Sequence, residues 1–159
     1  MSREDLEVRL AEPADAETIA EFNRRLAQES EGLSLDADTV QQGVRRLMEN
    51  PSLGCYFLAE ASSGIVGQLG LTYEWSDWRN GLFWWIQSVY VTPEQRRAGV
   101  FRRLFHVVET RALEDPRCCG LRLYVEGDNA RALETYRTLG LEEAPYRMLE
   151  LDFTEPDRD

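Results

Sequence analysis

Gln95-Arg96-Arg97-Ala98-Gly99-Val100-Phe101-Arg102-Arg103-Leu104 is the stretch on which the fold turns. Upstream, the apolar run Trp84-Trp85-Ile86-Gln87-Ser88-Val89-Tyr90-Val91 reads as a strand, joined to it by Thr92-Pro93-Glu94. Downstream, Leu104, Phe105, Val108 and Ala112 stand 3, 4, 7 and 11 residues from Phe101, on one helical face. A strand, a basic turn with one glycine and a helix start together make an anion site. The first N–H groups of a helix have no partner within it, and the helix dipole adds positive potential there. Gly99 lets backbone approach a bulky ligand closely. Arg96, Arg97, Arg102 and Arg103 put cations where the dipole opposes them, a conflict that a bound anion relieves. This chemistry points to a phosphate-bearing ligand.

The same residues carry a likeness. Arg96-x-x-Gly99-x-Phe101 resembles the Arg/Gln-x-x-Gly-x-Gly/Ala pyrophosphate motif of the GNAT superfamily of N-acetyltransferases, with Phe101 where a small residue is usual. Asn129-Ala130-Arg131-Ala132-Leu133-Glu134-Thr135-Tyr136-Arg137-Thr138-Leu139-Gly140-Leu141 resembles the family's Asn-x-x-Ala-x-x-x-Tyr-x-x-x-Gly-Phe segment, with Leu141 in place of Phe. The two motifs occur in order, one strand-like segment apart, and with their flanks the resemblance covers nearly the whole chain.

That resemblance implies acetyl-CoA as acyl-donor cosubstrate, held between the splayed ends of strands 82–91 and 120–125. The backbone of Val89, Tyr90 and Val91 would hold the pantetheine and polarise the acetyl carbonyl. The turn Arg96, Arg97, Ala98, Gly99, Val100, Phe101 and Arg102 would hold the pyrophosphate, and Asn129 would add a CoA contact. Tyr136 would be the general acid facing the departing sulfur. Spacing alone, from Ala132 and Leu133, makes Tyr136 a core aromatic, and Asn129 by itself reads as a helix cap. Many members of the family carry an acidic residue near the position of Gln87, which cannot take a proton. Glu74, Asp77, Glu126 or a water chain ending at one of them is left as the base.

Composition agrees with one soluble domain. The chain has 159 residues, 43% hydrophobic and 30% charged, a size that buries a real core. No apolar run approaches the roughly 20 residues of a membrane helix. The acidic Met1-Ser2-Arg3-Glu4-Asp5-Leu6-Glu7 start lacks an apolar h-region, so no signal peptide is expected there. Three cysteines, with Cys118 and Cys119 adjacent, argue against a disulfide framework. One histidine and no zinc-type spacing argue against a metal. A reducing cytoplasm is the expected compartment. Eighteen basic against 29 acidic residues give a net charge of −11, which disfavours nucleic acid as a partner.

Along the chain, strand Glu7–Ala11 precedes a helix begun around Pro13 to Asp15, and a second helix is capped by Asp36. A hairpin follows, Cys55 to Glu60 and Ile65 to Tyr73, joined by Ala61-Ser62-Ser63-Gly64. Glu74 to Gly81 reads as a loop. Then come strand 82–91, helix 99–115, strand 120–125, helix 129–139 ended by Gly140, and a last strand from Tyr146 to Leu151. The order β-α-α-β-β-β-α-β-α-β predicts a single α/β domain over residues 1–153, a mixed sheet flanked by helices, with 154–159 as a frayed tail. It is also the GNAT order.

Trp84 and Trp85 point to opposite faces, so one of them is expected in the core. Trp75 and Trp78 flank Asp77, and aromatics among acids can hold an amine by cation–π and charge attraction or can pin the loop to the sheet. Glu74, Asp77, Trp78 and Gln87 are therefore the candidate acceptor residues. His106 reads as a surface or packing histidine, and the cysteines as small hydrophobes. The function expected is direct acetyl transfer to a primary amine, with a small cationic amine as the candidate acceptor. A non-catalytic acyl-CoA-binding regulatory module is the alternative, and dimers are frequent in the family that the chain resembles.

Overall fold

The computed structural model describes residues 5–154. Its elements are β1 (Glu7–Leu10), α1 (Ala16–Glu31), α2 (Ala37–Glu49), β2 (Gly54–Ala61), β3 (Gly64–Ser76), β4 (Gly81–Val91), α3 (Val100–Glu114), β5 (Cys118–Leu123) and α4 (Ala130–Thr138). Contacts divide the chain into two units, Met1–Tyr124 and Val125–Asp159.

The first unit holds the five-stranded sheet, ordered β1-β2-β3-β4-β5. The first three pairings are antiparallel and β4–β5 is parallel, so the sheet is mixed as expected. Successive strand residues point to opposite faces, which separates two packing layers. Tyr56 and Leu58 of β2 meet Ala16, Ile19 and Ala20 of α1 and Val44 of α2. Phe57, between them, faces the other way, with the Arg111 guanidinium of α3 5.1 Å from its ring centroid. On that second face α3 comes so close to β3 that a Cβ at Gly67 would lie 2.8 Å from Val100 Cγ1.

Local chemistry sets the helix ends. Asp36 caps α2, its carboxylate accepting from the Thr39 amide at 2.9 Å. A 3-10 turn at Pro13–Asp15 leads into α1, where a helix start is expected. On α3, Leu104, Phe105, Val108 and Ala112 are buried, as their spacing requires, and His106 is exposed. Among the described residues no helix is long and apolar enough to cross a membrane.

Arg9 staples the edge of the sheet to the α1 entry. Its guanidinium donates to Asp15 Oδ2 and to Glu60 Oε2, both at 2.8 Å. The Arg9 hydrogen bond holds the Asp15 carboxyl below the usual aspartate range. A carboxylate with a lowered folded pKa adds stability that is complete above its unfolded pKa, about 3.9. That stability is lost as pH falls from there through the lower folded value. Asp15→Asn should therefore destabilise the fold by about 2 kcal/mol at neutral pH, the scale of a hydrogen bond to a charged group. Urea midpoints of wild type and variant should converge in acid; a gap that persists there would assign the effect to packing.

Three features differ from what the sequence predicts. Glu74 to Ser76 is strand rather than loop, because the β3–β4 ladder continues to Ser76–Gly81. Trp84 and Trp85 do take opposite faces, paired with Tyr73 and Thr72, but both are only half-buried. The expected strand at Tyr146–Leu151 is absent: no ladder reaches it, and Leu149 is 95% exposed. Its alternation supplies two faces, but a strand also needs an edge to bond to.

In the second unit, Asn129 caps α4, accepting from the Ala132 amide at 3.1 Å. Gly140, at φ 95°, closes it. Its amide donates to Arg137 O at 3.0 Å and that of Leu141 to Tyr136 O at 3.1 Å, the two bonds of a Schellman ending. Residue 154 is described and 155–159, the rest of the expected tail, lie outside the described residues.

Candidate active site

The β3–β4 ladder shifts register between Gln68 and Gly70. Gln68 pairs with Tyr90, but the next pair is Gly70 with Gln87. One residue on β3, Leu69, thus stands against two on β4, Ser88 and Val89, which is a β-bulge. Ser88 takes φ 50°, a left-handed value that a serine adopts only with support. The parallel pairing with β5 ends at Ile86–Leu123, while β4 runs on to Val91. Residues 87–91 therefore continue past their β5 partner, and their backbone groups on that side suit an extended ligand.

Gln68 is fully buried behind this bulge. Its side-chain amide donates to Asn23 Oδ1 of α1 at 2.7 Å and to the Ser88 carbonyl at 2.9 Å. Its Oε1 is the one buried side-chain oxygen among the described residues without a hydrogen-bond partner. Burying such an acceptor unpaired costs about 1–3 kcal/mol.

Beyond β4 the chain enters the arginine turn. Arg97 lies at φ 67° and Gly99 at φ 84°, with Gly99 as the N-cap of α3 and no side-chain cap bond. Left-handed residues in a turn gather successive N–H groups into a concavity that binds anions. Arg96 is committed elsewhere: its guanidinium donates to Glu29 Oε2 at 2.8 Å and to Val91 O at 3.0 Å, and lies 5.5 Å from the Tyr90 ring centroid. Arg97, Ala98 and Arg102 are exposed, Val100 is buried, and Phe101 leans on Phe105. The Tyr90 side chain is buried against Phe22, so only its backbone can serve a ligand.

On the α1–α2 face, farther along toward β5, the sheet carries polar and aromatic groups. Cross-strand pairing sets Gly70, Thr72 and Glu74 beside Gln87, Trp85 and Phe83, and Trp85 beside Arg122. Gln87 donates to the Thr72 hydroxyl at 2.9 Å. Glu74 Oε1 accepts from Arg122 at 2.6 Å and from Trp85 Nε1 at 3.4 Å. The Arg122 guanidinium carbon lies over the Phe83 ring, 3.6 Å from its centroid, and the Trp85 and Tyr124 rings meet tilted by 34° with centroids 4.4 Å apart. Asp77 and Trp78 sit apart on the β3–β4 turn, Trp78 being 85% exposed.

Glu74, a strand residue rather than the loop residue expected, thus shares one face with Gln87. Arg122, Thr72 and Gln68 were not legible as site residues in the sequence. An arginine inside a six-residue strand was the available signal for Arg122; Gln68, within the apolar β3, was the other. In the second unit Tyr136 is half-buried on α4, and burial raises its phenol above the usual tyrosine range. Burial likewise pushes the Cys55 and Cys118 thiols up, which disfavours thiolate at neutral pH.

Residues 17–141 match the family model described as Acetyltransferase (GNAT) family. The chain belongs to that family. This GNAT protein is 30% identical over 146 residues to the thialysine N-epsilon-acetyltransferase of Bos taurus, covering 86% of this chain and 84% of that one. Its fold matches a possible acetyltransferase from Clostridium difficile 630 with a TM-score of 0.88 and 43% identity, over 94% of this chain and 99% of that one. An acetyltransferase from Clostridium acetobutylicum solved with acetyl-CoA shares the fold at a TM-score of 0.75 and 17% identity, over 92% and 96% of the two chains. As a GNAT enzyme the protein is an acetyl-CoA-dependent N-acetyltransferase.

Proposed function

We propose that the enzyme transfers acetyl directly from acetyl-CoA to the primary amine of a small cationic acceptor, best an amino acid with a second amine on its side chain. The observation that carries the acceptor class is the Glu74–Arg122 pair, 2.6 Å apart on a half-open face beside Trp85. One carboxylate and one guanidinium side by side suit a head group bearing both an ammonium and a carboxylate. A bare polyamine would meet Arg122 as well as Glu74. Strand rise is about 3.3 Å per residue, so a lysine-sized chain held at the Trp85 level reaches the level of Gln87 and the bulge. Asp77 and Trp78 would extend the approach from the turn. The bovine relative's name, which attaches its activity to the ε-amine of thialysine, supports the same class.

In this reading both units act as one acetyltransferase domain over residues 1–153, and the family match at 17–141 runs across their boundary. The Val89–Val91 backbone holds the pantetheine, and the Val89 amide polarises the acetyl carbonyl as negative charge develops on it. Backbone groups from Arg96 to Arg102 hold the pyrophosphate, and Asn129 adds its contact beside its capping role. The acceptor amine must be neutral to attack, so its proton leaves to a carboxylate among Glu74, Asp77 and Glu126 or through water. Tyr136 donates toward the departing sulfur. Raised cysteine pKa values support direct transfer without an acyl-enzyme.

An acceptor screen with acetyl-CoA, read by free-thiol release, tests this. Lysine and ornithine should exceed spermidine and putrescine, and all should exceed neutral and acidic amino acids. Glu74→Gln and Arg122→Gln should each raise KM for lysine about tenfold, equivalent to about 1.4 kcal/mol. Rate should rise with pH toward the amine's own pKa. Preference for anionic acceptors, or an unchanged KM in both variants, would rule the reading out.

A further inference from the structure

We propose that Gln68 is a positioning residue for acetyl transfer, holding the β4 bulge so that the Val89 amide is presented to the acetyl carbonyl. This rests on the reading of Val89 just given. The geometry is carried by three observations at one place. Gln68 is 0% exposed, and its NH2 group spends both protons, one on Asn23 Oδ1 and one on the Ser88 carbonyl. A carbonyl can only accept, so the amide must turn its NH2 toward Ser88. Within a planar trans peptide, C=O and N–H point opposite ways. Fixing the Ser88 oxygen on Gln68 therefore fixes the Val89 N–H in the direction away from Gln68.

Two features separate this from ordinary satisfaction of a buried group. Ser88 sits at φ 50°, a conformation that persists in a non-glycine residue only where its surroundings hold it. The Gln68 carboxamide supplies that hold from β3, and Asn23 anchors the carboxamide to α1. Asn23 is in turn steadied by donating to the Tyr56 hydroxyl at 3.5 Å. Meanwhile Gln68 Oε1 has no partner among the described residues. Leucine or methionine would fill the same space without that penalty. The retained amide thus acts through its two donors, one holding the Ser88 carbonyl in the bulge and the other tying the carboxamide to Asn23 of α1.

The experiment is difference infrared spectroscopy of acetyl-CoA carrying a 13C carbonyl, bound to the full-length enzyme, together with kcat and the affinity for CoA. Wild type should lower the carbonyl frequency relative to free acetyl-CoA. Gln68→Met, which keeps the volume and removes both donors, should return the band toward the free value. It should also lower kcat about tenfold and leave affinity for unacetylated CoA unchanged. A folded Gln68→Met enzyme with the wild-type band and kcat would overturn the proposal, as would parallel losses of kcat and CoA affinity, which signal a purely structural role. An unshifted band in wild type itself would overturn the Val89 reading, and the role of Gln68 with it. Should Gln68→Met not fold, Asn23→Ala releases the far end of the same clamp. It should move band and kcat in the same direction by a smaller factor, and wild-type values there would overturn the proposal equally.

Discussion

Tyr136→Phe is expected to lower kcat by about 10²–10⁴-fold, the usual contribution of a positioned acid, with acetyl-CoA affinity and thermal midpoint little changed. Burial raises the Tyr136 phenol above its ordinary range, so it stays protonated at every pH at which the enzyme would work. A thiol such as that of CoA is more acidic, near 8.5 if it resembles cysteine. Complete proton transfer from phenol to thiolate is therefore uphill. The hydroxyl acts chiefly as a hydrogen-bond donor to sulfur as the C–S bond breaks, which places the effect toward the lower end of the range. The pH profile carries the sign: wild-type kcat should fall only where the phenol ionises, above pH 10, and that limb should vanish in the variant. Wild-type kcat in a folded Tyr136→Phe enzyme at saturating substrates would return Tyr136 to the role of a core aromatic. Acetyl-CoA binding without turnover in wild type would favour the regulatory module instead.

Gly99→Val should abolish measurable acetyl-CoA binding while leaving the fold intact. Gly99 sits at φ 84°, where a β-branched residue is strained, and nothing lies within 4 Å of a Cβ built there. The protein therefore tolerates the added atoms sterically, and the space they fill is the space that backbone-bound phosphates need. Backbone strain alone is about 1–3 kcal/mol; with the blocked approach, an affinity loss beyond about 100-fold is expected, since each tenfold is about 1.4 kcal/mol. Calorimetry with acetyl-CoA reads this directly. Acetyl-pantetheine, which lacks the pyrophosphate, should bind both proteins alike. Unchanged acetyl-CoA affinity in a folded variant would remove the phosphate site from the turn.

What could be read from the sequence was local. The apolar spacing of α3, the Asp36 cap and the Gly140 ending each follow from a few neighbouring residues, and all stand in the structure. The strand–turn–helix at 84–104 was legible for the same reason. What escaped depends on partners far along the chain. Arg96 looks like a phosphate ligand until Glu29, 67 residues away, takes its guanidinium. Glu74 looks like an open carboxylate until Arg122, 48 residues away, bonds to it. Nothing in the side chain of Ser88 announces a left-handed backbone; the bulge arises from how β3 and β4 slip against each other. The false strand at 146–151 fails from the opposite side, having the right alternation and no ladder.

That unladdered segment has a colloidal consequence. Met148, Leu149, Leu151 and Phe153 are each more than 60% exposed, an apolar strip of the kind that makes molecules self-adhere. The chain also carries a net charge of −11, and like charge opposes the approach of one copy to another. The excess of acidic side chains thus has a task unrelated to acetyl transfer, and it is one that weakens as pH approaches the isoelectric point near 4.6. Near that pH the charge no longer opposes contact between copies at these exposed apolar side chains.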